Sequence, residues 1–190
     1  MRVLLHLNGV TGLVMHNVRL ADKRDQYAKA IKEITDKRKK TEADEEEIEK
    51  LEWFGGVYHD AEVGIHVPTW NVVRCLERAA TVTRQGSTLV RAVAVLGDKA
   101  PLVYDGPKDL SQLWEKPEHR WRTTVGVQRS KITRMRPIFR RWALELEAEL
   151  LEDVMNPEDF VSIAKLAGRS EGLGDARRLG YGRFTAEVAL

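Results

Sequence analysis

The sequence predicts an α+β fold: one antiparallel sheet with helices on one face and an inserted charged helical hairpin. Three observations predict it. Apolar and polar residues alternate near both ends of the chain and over residues 139–150, the period of a half-buried strand. Apolar residues recur at three and four after Pro68 and after Asn156, the period of an amphipathic helix. Between the first strand and the first of these helices lies a densely charged segment short of apolar residues, which reads as an insertion.

Residues 2–8 form the opening strand, with Val3, Leu5 and Leu7 on one face, and Asn8-Gly9 and Thr11-Gly12 mark a turn. Residues 25–40 and 43–54 read as two helices. Tyr27, Ile31 and Ile34 space the first, and Thr41 with Asp44 forms a capping box for the second, which Gly55-Gly56 ends. A short hairpin covers 57–67. A helix from Pro68-Thr69 to about Thr83 buries Val72, Leu76, Ala79, Ala80 and Thr83. Residues 88–96 read as a β-branched strand, with a turn at Gly97-Asp98-Lys99 and a further run at 102–104. The stretch from Asp105 is irregular, with one helical turn near 110–114. Residues 121–128 and 131–136 read as strands or as arms of a loop, and Pro137 predicts an edge position for any strand there. Residues 139–150 are the clearest strand: Trp142, Leu144, Leu146, Ala148 and Leu150 alternate with Arg141, Glu145, Glu147 and Glu149. Asn156-Pro157 starts a helix that Gly168 ends, and Phe184, Ala186, Val188 and Leu190 alternate as a last strand. Without the insertion (about 22–56) and the irregular basic arm (about 105–137), the order is strand, helix, strand, strand, helix, strand. That is the ferredoxin-like/RRM-like split βαβ plan. At roughly 150 residues per domain, 190 residues predict a single domain.

With 43% hydrophobic and 32% charged residues, the chain can pack a core, and no run reaches the roughly 20 apolar residues that span a bilayer. The first residues are too short an apolar run for a signal peptide, and a lone Cys75 suits the reducing cytoplasm. Net charge is only +2, yet charge is laid down in blocks. Residues 23–40 hold eight Lys or Arg against three acids, and residues 42–52 hold seven acids against Lys50. These two blocks read as helices pairing side by side. Residues 116–141 hold nine Lys or Arg against Glu118 alone.

Several chemistries lack their signature. There is no phosphate-cradling Gly-Lys-Ser/Thr loop and no Gly-x-Ser-x-Gly, and His6, His16, His59, His66 and His119 lack metal-ligand spacing. No cofactor and no metal are expected, and the acids at 44–47 read as a solvated helix face. Two segments point to polyanions. The first, residues 168–184, interleaves Gly168, Gly172, Gly174, Gly180 and Gly182 with Arg169, Arg177, Arg178 and Arg183. Glycine admits a ligand close to the backbone and arginine offers forked donors to phosphate; a loop that merely needs positive φ fits the glycines equally. The second is a basic ribbon of Arg120, Arg122, Arg129, Lys131, Arg134 and Arg136 with Trp121, Ile132 and Met135 between them. It fits a nucleic-acid backbone, or an exposed arm kept soluble by charge. Trp53, Phe54 and Trp70 read as core or insertion anchors rather than stacking platforms.

Three segments together resemble the RAMP superfamily, RRM-like proteins that include the crRNA-binding backbone subunits of CRISPR effectors. The opening strand runs into Gly9-Val10-Thr11-Gly12-Leu13-Val14-Met15-His16-Asn17, similar to the family's start. Ile65-His66-Val67-Pro68-Thr69-Trp70-Asn71 leads into Ala79-Ala80 and resembles the family's entry to its first helix, with Thr69-Trp70 in place of Gly-Ser. Gly172-Leu173-Gly174-Asp175 through Gly180-Tyr181-Gly182-Arg183-Phe184 is similar to the family's C-terminal glycine-rich loop. In length and insertion the chain looks like small phage and prophage proteins that share this frame. The resemblance implies binding of RNA or single-stranded nucleic acid and lateral association with further copies or related subunits. The leading expectation is therefore a non-catalytic RNA or single-stranded DNA binding protein. One alternative is an RNA-processing endoribonuclease with His16 as general base or Asp22 assisting cleavage; another is an assembly protein without nucleic acid.

Overall fold

Strict alternation in the first strand buries Val3, Leu5 and Leu7 and leaves Arg2 exposed. The computed structural model describes residues 1–127 and 130–190. Its elements are β1 (Arg2–Gly9), β2 (Leu13–Val14), α1 (Gln26–Thr35), α2 (Glu42–Gly56), β3 (His59–Asp60), β4 (Gly64–Pro68), α3 (Thr69–Val82), α4 (Gly86–Ala92), β5 (Val93–Val95), β6 (Lys99–Tyr104), α5 (Leu110–Trp114), β7 (Arg120–Val127), β8 (Ser130–Phe139), β9 (Trp142–Leu150), α6 (Pro157–Ser170) and β10 (Phe184–Ala189). The class is α+β. Contacts divide the chain into two compact units: Met1–Leu13 with His59–Asp105 and Phe139–Leu190, and Val14–Tyr58 with Gly106–Ile138. Among the described residues no helix is long and apolar enough to cross a membrane.

The first unit is built on a sheet of order β10-β1-β9-β6-β4-β3, with β5 also on β9. β1 runs antiparallel to both β9 and β10, and β9 runs antiparallel to β5 and β6. Hence β1 and β5 are mutually parallel with β9 between them, and β9 and β10 are mutually parallel with β1 between them. On one sheet face Leu144, Leu146, Ala148, Leu102 and Ala186 are buried. They share the core with Val72, Leu76, Ala79 and Ala80 of α3 and Phe160, Ile163 and Ala164 of α6. Each such buried leucine or isoleucine contributes roughly 1.5–3 kcal/mol of transfer free energy. The alternate residues Arg2, Glu145, Glu147, Glu149, Thr185 and Glu187 are exposed.

Several sequence expectations change here. Residues 88–92 are helical, because Leu89 and Ala92, three apart, bury one face of α4, which packs on α3. Only Val93–Val95 is strand, and Gly97-Asp98 does not reverse the chain: β5 and β6 are two pieces of one line along β9, their register offset at that point. β1 continues through Gly9, where the indole of Trp142 lies so close that a Cβ would come within 2.3 Å of its Nε1. Gly168 stays inside α6, which ends at Ser170; glycine stands there for packing, since a Cβ would meet the Phe184 carbonyl at 2.0 Å, and not as a helix stop. Thr83 is exposed.

In the second unit α1 and α2 pack together. Thr41 and Asp44 form the predicted capping box, and the Lys37 ammonium donates to Asp44. With the Thr41 N–H and hydroxyl also donating, that carboxyl sits low, at about 2. Trp53 is fully buried against Phe54 and Trp114, its Nε1 donating to the His119 carbonyl at 2.8 Å. Arg19 donates to the Phe54 and Gly55 carbonyls at 2.7 and 2.9 Å, satisfying the end of α2. β7 and β8 pair antiparallel from Arg120↔Pro137 onward, in a sheet of order β2-β8-β7. Pro137 therefore lies on a central strand, contrary to the edge expectation. It is tolerated because its carbonyl accepts from Met15 N–H at 2.9 Å, which turns its ring nitrogen to the same side, toward Met15 just past the end of the two-residue β2, where the ladder has already stopped.

Candidate functional site

α3 begins where Thr69 bolts onto the β5–β6 junction: its N–H donates to the Asp98 carbonyl at 3.0 Å and its hydroxyl to the Gly97 carbonyl at 2.8 Å. With Val72, Cys75, Leu76, Ala79 and Ala80 buried, the helical period turns residues 70, 74 and 78 outward together. Trp70 is 50% exposed, and Arg74 and Arg78 are exposed below it. Trp70 is thus a surface side chain, not the core anchor expected from the sequence.

The glycine loop follows α6. Gly172, Gly174, Gly180 and Gly182 all have positive φ, between +72° and +87°. The tightest is Gly182, at +72°, whose added Cβ would lie 1.8 Å from the Leu173 carbonyl oxygen. Leu173 N–H donates back to the Gly182 carbonyl at 2.9 Å, and Gly182 N–H donates to the Gly12 carbonyl at 2.8 Å. Thr11 completes the stitching: its hydroxyl donates to the Gly180 carbonyl at 2.8 Å and accepts from Arg183 N–H at 2.9 Å. On the other side, the Cys75 thiol of α3 donates to the Gly172 carbonyl at 3.2 Å. Burial pushes that thiol up to about 12, with the Glu171 charge adding to the rise and Arg177 and Arg183 opposing it. At neutral pH it is a protonated tether, not a nucleophile.

Between the α3 face and this loop lies an open cleft of about 410 Å³. Trp70 and Asn71 stand at the helix start, Arg74, Glu77 and Arg78 line one wall, and Gly172, Leu173, Gly174 and Arg177 line the other. Three arginines face one carboxylate, and Glu77 is itself held by Arg74 at 2.7 Å. Of the predicted loop residues, only Gly172, Gly174 and Arg177 line the cleft. Arg169 and Arg178 are exposed away from its lining, and Gly180 and Gly182 serve the packing against Thr11 and Gly12. Arg183 is half-buried, and its Nη1 is buried with no hydrogen-bond partner among the described residues. Sequence reading placed Trp70 as an anchor and missed Arg74 and Arg78. Their four-residue spacing, complementary to the buried stripe, was the available signal.

The basic ribbon is revised. It belongs to the second unit and its arginines are engaged: Arg122 with Glu49 at 2.7 Å, Arg134 with Glu52 at 2.6 Å and Arg136 with Glu52 at 3.8 Å, while Arg120 stacks over Trp114 at 4.9 Å. The acids of α2, expected to pair with α1, thus serve β7 and β8 as well. Lys131 is exposed, and Arg129 lies outside the described residues. His16 is exposed on a depression of about 370 Å³ lined also by Leu20, Ala28, Ile31, Glu52, Arg134 and Arg136, and not by Asp22. The Asp22 carboxylate accepts from Arg24 N–H at 2.9 Å. Among the described residues no His, Cys, Asp and Glu cluster is fit to hold a metal.

No protein-family model matches the chain, and no curated protein matches it.

Proposed function

We propose that the chain is a non-catalytic binding protein for RNA or single-stranded DNA, a relative of the RAMP superfamily on a ferredoxin-like/RRM-like frame. It holds the strand in the cleft between α3 and the glycine loop. The observation that carries the reading is that cleft: Arg74, Arg78 and Arg177 converge across it on backbone made close by Gly172 and Gly174, and charge-assisted donors on a concave wall suit phosphates. The two interleaved β-α-β connections of the first unit support the frame. The other sheet face supports the choice of side. Glu145, Glu147, Glu149 and Glu187 are exposed there against Arg2 and His6, and a polyanion is repelled by such a surface. Copies, or related subunits, would follow one another along the strand, in the cytoplasm.

The test is fluorescence anisotropy with a labelled oligouridylate across a salt series. For single strands, removing one arginine–phosphate interaction flattens the log–log salt slope by about 0.7. Arg78→Ala and Arg177→Ala should each weaken binding and flatten the slope by that amount. Binding indifferent to salt, or equal in both variants and the wild type, overturns the reading.

A further inference from the structure

We infer that Trp70 and Glu77 make the cleft a subsite for one unstacked ribonucleotide, the indole taking the base and the carboxylate taking the ribose 2′-hydroxyl. The inference rests on the proposed nucleic-acid reading. A cleft that only gathered phosphates would gain nothing from an indole at its rim and would be weakened by a carboxylate in its wall. Trp70 offers a half-exposed ring at the rim, on a helix start pinned by Thr69. Stacking on such a ring requires a base free of its own neighbours, and this selects single strands. Glu77 is oriented by Arg74, which donates to its Oε2 at 2.7 Å, and among the described residues Oε1 accepts no hydrogen bond. A carboxylate fixed in that way accepts from a sugar hydroxyl and finds none in deoxyribose. The cleft's volume, about 410 Å³, falls in the range of sites for one small molecule, roughly 300–1,000 Å³.

The experiment measures Kd for an oligouridylate, the matching oligodeoxyuridylate and an RNA duplex, at one salt concentration, for the wild type, Trp70→Ala and Glu77→Ala. Both side chains are at the surface, and circular dichroism checks that the variants fold. The wild type should prefer the ribo-oligomer over the deoxy-oligomer by about tenfold, the worth of one hydrogen bond to a charged group. It should prefer single strand to duplex. Trp70→Ala should lose roughly tenfold or more on both single strands. Glu77→Ala frees Arg74 and removes a negative charge, so DNA binding should tighten while the RNA-to-DNA ratio falls toward one. A purely electrostatic Glu77 would tighten both strands alike and leave the ratio unchanged, which overturns the inference. So does equal wild-type affinity for RNA and DNA, or for duplex and single strand, although the binding reading then stands. Wild-type protein that binds no oligomer defeats both.

Discussion

Glu52 is 4% exposed and joins three groups of β8: it accepts from Arg134 Nη1 at 2.6 Å and from Met135 N–H at 2.8 Å, with Arg136 Nη1 at 3.8 Å. In Glu52→Ala Arg134 loses its carboxylate, Arg136 keeps its bond to the Met135 carbonyl but loses its longer ion contact, and one backbone donor is stranded. Removing one member of a buried ion pair costs about 3–5 kcal/mol. The Arg134 side chain is 29% exposed and can rehydrate, whereas that of Arg136 is 12% exposed and cannot do so fully. The lower end, about 3 kcal/mol, is expected on that ground. At a urea slope of about 2–3 kcal/mol/M, the unfolding midpoint should fall by roughly 1–1.5 M. Glu52→Gln keeps an acceptor for Met135 N–H and should fall in between. Urea unfolding followed by tryptophan fluorescence gives the midpoint, and hydrogen exchange at Met135 localises the effect. A Glu52→Ala midpoint within about 0.3 M of the wild type, less than 1 kcal/mol at that slope, would refute the view that this carboxylate clamps α2 to β8.

Gly182→Ala places a Cβ 1.8 Å from the Leu173 oxygen at φ +72° and should cost more than about 3 kcal/mol by denaturation, whereas Gly126→Ala, with open space at its Cβ, should cost less than about 1 kcal/mol. Thr41→Ala removes the capping-box acceptor of Asp44 N–H and should lower stability by about 1 kcal/mol in the same assay. Cys75 should resist alkylation in the native protein and react on unfolding. Its thiol is raised from an ordinary 9.0 to about 12 in the fold, so stability is unaffected below pH 9 and falls between pH 9 and 12, where only the unfolded thiol ionises. Rapid native alkylation at pH 8 would contradict the burial of the tether.

Local periodicity alone settled much of this protein. The strands at both ends, β9, the stripes of α3 and α6, and the Thr41 capping box were legible because each is a relation between residues a few positions apart, set by side-chain direction on one element. The glycines at 172–182 were legible as needing unusual backbone. Why they need it was not: the reasons lie in the Leu173 carbonyl packed against Gly182 across the loop, and in partners brought in from Thr11 and Gly12, far away in sequence. The partners of the ribbon were hidden for the same reason. Its own stretch holds no acid between Arg120 and Arg141, but Glu49 and Glu52 arrive from another helix and take up part of its charge. Trp70 shows the converse, since its position opposite the α3 stripe was readable while the loop it faces became its neighbour only on folding. Sequence determines which face of each element avoids water; only tertiary packing decides which charges end up compensated and which remain available to a ligand, because Coulomb and hydrogen-bond energies depend on distances that chain order does not encode.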